Sequence, residues 1–425
     1  MPQHEVLSRV SDVMDAQVEA GEITGAITAI ALDDEIIHFA THGWSELDPR
    51  TPMPADAIFR MASSTKPVVG VAVMQQIERG LIDPDDPVNR FIPEFRDTTV
   101  AVRRPGSTPP ATAADQPAVP PGGQGVSLGA GFDLAGRPEQ PAGPPADVDL
   151  VTAHRDVLVR DLLTHTSGLL SGGLGAAMTD VRRTRDDTLA TYIPQLGKVP
   201  LDFQPGTKWQ YSPGTGIDVL GHIVELVSGR PLDQYLAEEI FEPVGMTDTF
   251  FALPEDRRAR LLPLYRQTDD GWTKADGRLA NRLSSPIYFS GSGGLMSTAA
   301  DYLRFERMLT NLGTIEGRQV LRPETVRLMA TNHVGDLFRG IREPIEGIGF
   351  GYTVQVVVDA EKSRSARSEG AFGWGGAFGT MTWSDPARHL SGVFMVQQPN
   401  LRVRARFERA VRAAVDELQG VTVSG

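Results

Sequence analysis

Strand-like runs near both ends of the chain, with helical patterns between them, predict an α+β protein. The expected architecture is an antiparallel sheet flanked by helices, joined to a mostly helical lobe. Length agrees, since 425 residues at roughly 150 per domain make one large domain or two interlocked ones. A 40% hydrophobic content is ample for a core.

The elements follow in order. Val6, Val10, Val13, Met14 and Val18 recur at helical spacing, and Gly21 stops that first helix. Residues 25–32 and 35–44 read as strands, with Asp33-Asp34 as the hairpin turn. Residues 64–79 form the next helix, ended by Gly80. Its Val68, Val69, Val71, Val73, Met74 and Ile77 cover more than one face, the mark of a buried helix. Helical patterns such as GIDVLGHIVELVSG and TAADYLRFERML fill the middle. Three strand-like runs then appear, GIGFGYTVQVVV, AFGWGGAFGTMTW and LSGVFMVQQ. A last helix over 402–418 carries Phe407, Val411, Ala414 and Leu418 on one face. The predicted sheet lobe therefore takes residues 1–92 and 335–425, and the helical lobe 93–334. Within the latter, 103–147 is an insertion: 10 Pro and 8 Gly fall between 101 and 150, too many for regular structure. Its Val126, Leu128, Phe132 and Leu134 could cover a cleft, or the segment could be a solvated linker.

Charge and composition narrow the function. With 54 acidic and 41 basic residues the net charge is −13, which argues against nucleic acid or an anionic membrane as partner. Zero cysteines exclude thiol nucleophiles, disulfide scaffolds and cysteine-ligated metals. No apolar run nears the roughly 20 residues of a membrane span, and the charged N-terminal helix is unlike a signal peptide, so a soluble cytoplasmic protein is expected.

Three candidate motifs are weak. Gly125-Val126-Ser127-Leu128-Gly129 fits the G-x-S-x-G elbow, but that motif needs a tight strand-to-helix turn and here lies in the insertion, so Ser127 is read as incidental. His38 and His42 sit in a strand, where four residues span roughly 13 Å, and both are read as structural histidines. His165, in DLLTHTSGLL, is read as a hinge among polar turn residues. No metal or nucleotide motif occurs.

Ser63-Ser64-Thr65-Lys66 is stronger. With five lysines and 22 serines, an S-x-x-K match arises by chance roughly 0.3 times. Its position adds weight: at the start of a buried helix, Ser63 and Lys66 lie one turn apart on one face. The helix N-terminus favours an oxyanion there, and a partly desolvated lysine accepts the serine proton more readily. The competing reading is a capping serine followed by a solvated lysine.

MASSTKP, DLLTHTSGL, WQYSPGTGIDVLGHIVELVSG, IFEPVGMTDT, GSGGLMSTAADYLRF and GWGGAFGT, in that order, resemble the serine β-lactamase-like superfamily. Within it the chain is most similar to the class C β-lactamase-like esterases, the family VIII carboxylesterases, over all but the insertion. The resemblance implies a β-lactamase/transpeptidase-like fold with Ser63 as nucleophile, Lys66 as its lysine and Tyr211 as the motif tyrosine. Trp374-Gly375-Gly376 falls where β-lactamases carry Lys-Thr-Gly, on the strand edging the site. The implied oxyanion hole is the backbone amides of Ser63 and Ala377.

Two departures bear on the substrate. Pro213 stands where the tyrosine motif often ends in Asn, whose amide orients the acyl-amide group of β-lactams and peptides. Trp374 replaces the lysine that would hold a substrate carboxylate. With Gly375 and Gly376 these are the expected substrate-binding positions, and an uncharged wall favours neutral esters. The expectation is a serine carboxylesterase for small neutral esters, needing no cofactor or metal. The alternatives are a β-lactamase, D-aminopeptidase or acyltransferase of the same fold, or a catalytically silent binding relative. The sequence does not give the oligomeric state.

Overall fold

The computed structural model describes residues 3–106, 147–269, 271–275, 287–341 and 344–420. Its centre is an eight-stranded sheet assembled from both ends of the chain. Strands β1 (Gly25–Leu32), β2 (Glu35–Leu47) and β3 (Arg50–Pro52) come from the N-terminal part. Strands β4 (Ile348–Phe350), β5 (Gln355–Val357), β6 (Phe372–Gly375), β7 (Met381–Asp385) and β8 (Leu390–Met395) come from the C-terminal part. The order is β4-β5-β6-β7-β8-β1-β2-β3, every pairing antiparallel. The seam between chain ends is β1 against β8, from Ile27↔Met395 to Leu32↔Leu390. Asp33 and Asp34, at φ 49° and 66°, make the two-residue turn between β1 and β2, whose twist suits a hairpin.

The three C-terminal strand-like runs are in fact five strands. Thr353, at φ 66°, breaks the first run between β4 and β5, and the glycine turn after Gly375 separates β6 from β7. Such turns interrupt a strand without breaking its hydrophobic pattern, so the pattern alone merged them.

Both faces of the sheet are covered, which is why β1 is buried along its whole length. Ala26, Ile30, Trp383 and Phe394 pack against α1 (Gln3–Glu19) and the C-terminal helix, α5 (Leu401–Leu418), through Val10, Met14, Phe407 and Val411. Ile27, Ala29, Val393 and Met395 join the larger core around α2 (Thr65–Glu78), α3 (Gly216–Ser228) and α4 (Ala299–Thr310). Helix α4 falls within 93–334, the span read from sequence as the helical lobe, yet it lies on the sheet. Its Glu306 accepts hydrogen bonds from Thr382 Oγ1 (2.5 Å) and Ser384 Oγ (2.7 Å), and Thr310 Oγ1 meets Ser391 Oγ at 2.7 Å. Burial pushes the Glu306 carboxyl up to about 7. Amphipathic spacing says that a helix has a buried face, not which layer it faces.

Of the insertion, residues 107–146, with Ser127 and the apolar residues proposed to cover a cleft, lie outside the described residues. Its flanks are described: strand Thr99–Arg103 pairs antiparallel with strand Val148–Thr152, from Thr99↔Thr152 to Arg103↔Val148. The two ends are thus held side by side. Among the described residues no helix is long and apolar enough to cross a membrane, and no group of three or more His, Asp or Glu could hold a metal ion.

His38 and His42 are not held apart by the strand. Both reach one hydroxyl on the neighbouring strand: Thr28 Oγ1 lies 2.8 Å from His38 Nε2 and 2.9 Å from His42 Nε2. The register places Thr28 opposite Ala40, midway between the two histidines on one face. His42 Nδ1 then meets Asp15 of α1 at 2.8 Å. Burial, reinforced by His42, lowers His38 to about 4. Unfolded His38 titrates near 6.5, so it takes up a proton before the folded chain does, and stability is lost as pH falls from about 6.5 to 4. Urea unfolding of wild type and His38→Gln at pH 7 and pH 4.5 should show the wild-type advantage shrinking by about 2 kcal/mol on acidification. An advantage independent of pH would rule out a buried neutral His38.

Candidate active site

Ser63 sits on a turn fixed from several directions. Strand Phe59–Arg60 pairs with strand Met296–Ser297, and a single 3-10 turn, Ala62–Ser64, runs directly into α2. Ala62 has φ 45°, a left-handed conformation that costs an alanine about 1–3 kcal/mol unless its surroundings impose it. Here they do. Met61 N–H donates to Leu295 O (2.9 Å), Leu295 N–H donates to Thr65 Oγ1 (3.1 Å), and the Tyr302 hydroxyl donates to the Ser64 carbonyl. Ser63 is half-buried while its neighbours Ala62, Ser64, Thr65 and Lys66 are buried, so its hydroxyl is the polar group that this turn offers to the cleft.

One turn on, the fully buried Lys66 Nζ donates to Ser63 Oγ (3.2 Å), Pro213 O (2.8 Å) and Ser292 O (2.6 Å). Tyr211 OH lies 2.7 Å from the same Ser63 oxygen, and Lys66 Nζ stands 5.1 Å from the Tyr211 ring centroid. The three residues come from segments 148 positions apart yet share one hydrogen-bond cluster. Three acceptors match the three protons of an ammonium. A neutral amine fits as well, with two N–H groups on the two carbonyls and its lone pair toward the Ser63 hydroxyl. The site therefore accommodates Lys66 before and after it takes a proton, without rearrangement.

His165 does lie in a turn between Thr164 and Thr166, at φ 58°, but its ring is enclosed. It is buried edge-on against Tyr211 (4.8 Å between ring centroids) and Trp209 (5.9 Å). Its carbonyl accepts from Gln210 N–H (3.1 Å) and its Nδ1 from Ser212 N–H (3.4 Å), bracketing Tyr211 on both sides. Accepting at Nδ1 puts the imidazole proton on Nε2. Burial, then the Lys66 charge, holds His165 well below its usual value, so it stays neutral. The only sequence signal was a histidine beside turn residues, which reads as exposed.

Tyr211 also belongs to an aromatic cluster of Trp209, Phe338, Phe350 and Trp374, with Trp374 5.7 Å from Tyr211 and 5.2 Å, perpendicular, from Phe350. Trp374 is the penultimate residue of β6, and after Gly375 the chain turns at Gly376-Ala377 toward the serine. A Cβ on Gly376 would lie 2.2 Å from Met61 O and 2.3 Å from Thr380 Oγ1, so only glycine fits this approach. Thr380 Oγ1 bonds both Ser64 Oγ (2.9 Å) and Met61 O (3.3 Å), stitching the two turns together. Gly376 N–H is taken by Thr380 O (2.8 Å), whereas no hydrogen bond among the described residues uses the amides of Ser63 or Ala377. Pro213 contributes through its carbonyl to Lys66. Ser292 does the same, and a backbone acceptor leaves no mark in a sequence.

The chain as a whole is similar to known proteins. The Beta-lactamase family matches residues 10–417. The chain belongs to that family. Protein Rv1367c of Mycobacterium tuberculosis is 33% identical over 401 residues, spanning 91% of this chain and 89% of its own. Esterase EstB of Burkholderia gladioli is 29% identical over 432 residues, 96% and 94% of the two chains. Among solved structures, EstCE1, described as a hydrolase with promiscuous acyltransferase activity, superposes with a TM-score of 0.75 at 24% identity, covering 96% of this chain and 99% of its own. Simvastatin synthase (LovD) from Aspergillus terreus gives 0.74 at 20% identity, covering 97% and 99%. At those identities the two structures establish the shared β-lactamase fold.

In this member of the family the Gly376 contact sets how closely β6 approaches the serine. Gly376→Ala should cost about 1–3 kcal/mol in thermal unfolding, the usual penalty of overpacking, and should lower ester turnover as well. Native stability together with native turnover would mean that the contact is slack.

Proposed function

We propose that the protein is a serine carboxylesterase of the family VIII kind, acting on small neutral esters through an acyl-enzyme on Ser63. Membership of the Beta-lactamase family, with esterase relatives such as EstB, supports a serine hydrolase. The observation that carries the reading further is the convergence of Tyr211 OH and Lys66 Nζ on Ser63 Oγ, at 2.7 and 3.2 Å.

In this mechanism Ser63 Oγ attacks the ester carbonyl while its proton passes to the Lys66–Tyr211 pair. The tetrahedral oxyanion takes hydrogen bonds from the Ser63 and Ala377 amides. As the C–O bond breaks, the pair returns the proton to the leaving alkoxide. Water then attacks the acyl-enzyme carbonyl and gives up a proton to the same pair; as the acyl C–Oγ bond breaks, the pair returns that proton to Ser63 Oγ and the acid is released. All charge changes are carried by these side chains and amides. Trp374, Gly375, Gly376 and Pro213 bound the substrate: an indole offers no cation for a carboxylate and a proline no amide for an acylamide. That favours esters over β-lactams. Several relatives are named as acyltransferases, among them calJ of Penicillium decumbens at 26% identity, so an alcohol is a second acceptor to consider. Adding methanol or a longer alcohol and measuring the ratio of ester to acid product separates the two.

Ser63→Ala should fold and leave p-nitrophenyl ester hydrolysis at background. A fluorophosphonate should label wild type at Ser63, and an unlabelled protein would instead be a silent binding relative. Lys66→Ala and Tyr211→Phe should each lower kcat by about 10²- to 10⁴-fold with little change in KM, as expected for proton transfer. A change in KM alone would remove that residue from the mechanism. p-Nitrophenyl butyrate should be turned over orders of magnitude faster than a chromogenic cephalosporin. Comparable rates would show that Trp374 and Pro213 do not decide the substrate.

A further inference from the structure

The two carbonyls that hold Lys66 belong to different parts of the chain. Pro213 O lies just before α3, and Ser292 O lies in the segment leading to strand Met296–Ser297. Their separation decides whether one nitrogen can bond both and still reach Ser63. Asp218, in the first turn of α3, links the two segments. Its carboxylate accepts from Ser292 N–H (2.7 Å), Tyr288 OH (2.8 Å) and Ser290 Oγ (3.0 Å). It therefore grips the very residue whose carbonyl accepts from Lys66, from a helix whose lead-in supplies the other acceptor.

We propose that Asp218 is a positioning residue for the reaction: by tying Ser292 to α3 it fixes the two-carbonyl cradle that aims Lys66 at Ser63. Three features support this. Asp218 is buried, and burying a carboxyl is costly unless its bonds repay it. All three donors come from residues 288–292, so its whole bonding capacity goes to that segment. Burial pushes its carboxyl up while those donors oppose the shift. Asp218's hydrogen bonds go to Tyr288, Ser290 and Ser292 and not to Ser63, so the effect runs through Ser292 and Lys66.

The inference rests on the proposed role of Ser63 and Lys66, and the test distinguishes its failure from theirs. The variants are Asp218→Ala, Asp218→Asn, Tyr288→Phe and Ser63→Ala, assayed with p-nitrophenyl butyrate and followed by circular dichroism and thermal melting. Asn keeps one oxygen for Ser292 N–H, and its amide can donate to the two hydroxyls, so it preserves most of the tie. Tyr288→Phe removes a bond without loosening Ser292. Asp218→Ala should lower kcat about 10- to 100-fold with KM within about threefold, and slow fluorophosphonate labelling of Ser63 in parallel, since labelling needs the same activated serine. Asp218→Asn forces the Tyr288 and Ser290 hydroxyls to turn from donors to acceptors, so it should recover most but not all of the loss, leaving kcat about three- to fivefold below wild type, and Tyr288→Phe should stay near wild type. If Asp218→Ala does not fold, the comparison of Asn with wild type decides: kcat and labelling rate reduced severalfold at unchanged KM support the proposal, and wild-type values overturn it. Full kcat in every Asp218 variant with an inactive Ser63→Ala overturns this inference alone. An active Ser63→Ala overturns the mechanism beneath it.

Discussion

Burying a lysine costs several kcal/mol unless each of its N–H groups finds an acceptor, and Lys66 has no exposed surface. Much of the helical part of the protein answers that requirement. Helix α2 is buried almost throughout, so it carries Lys66 into the interior whatever the lysine prefers. Two carbonyls and the Ser63 hydroxyl then meet it there, and each comes from a segment with its own reason to be where it is. Pro213 precedes α3, Ser292 is held by Asp218, and Ser63 rides the strained turn at Ala62. A solvated lysine at this position would need none of these arrangements. The competing reading of the S-x-x-K motif, a capping serine with a solvated lysine, fails on burial: Lys66 is enclosed, and Ser63 makes no capping hydrogen bond.

The sheet supplies the other half of the cluster. Strand β6 delivers Trp374 and the glycine turn, and Gly376 lets that turn close on the backbone of Met61. Thr380, buried on the return strand side, bonds both Met61 and Ser64. The Ser63 turn is thus clamped between α2 and the end of β6, and the sheet behind it is braced by helices on both faces. Precision at Ser63 is a product of these long-range contacts, because three residues of 3-10 turn have little stability of their own.

How much of this could be read in advance depended on whether a residue acts through its side chain. The α+β class, the paired chain ends and both terminal helices followed from hydrophobic spacing. Ser63, Lys66 and Tyr211, which the structure brings together, stood out because reactive side chains sit there in recognisable blocks. Ser292 was missed because only its carbonyl is used, and any residue has one. Asp218 was hidden inside an apolar helix pattern, where an acidic residue looks like the solvated side of an amphipathic face. His165 was read among polar turn residues, and it does lie in a turn, but its enclosure could not be read there because it comes from Trp209, Tyr211 and Phe350, which lie far along the chain. The same limit explains His38 and His42, whose meeting point is a threonine on another strand.

Pro213 shows what a departure from a family motif does and does not take away. Read as a side chain, it removes an amide, and with it a handle for β-lactams and peptides. Read as backbone, it keeps the carbonyl that accepts from Lys66 at 2.8 Å. The locked φ of proline narrows the arc through which that carbonyl can swing, at no cost in hydrogen bonding because only the acceptor is needed. Under the proposed function, substitution at this position alters what the side chain can recognise while leaving the lysine cradle intact. Trp374 acts in the same direction from the sheet side, since its ring is packed against Tyr211 and Phe350 and brings no charge. Under the proposed mechanism Pro213 serves both the activation of Ser63, through its carbonyl, and the choice of substrate, through its side chain, so one proton-transfer cluster can be kept while the surface around it changes.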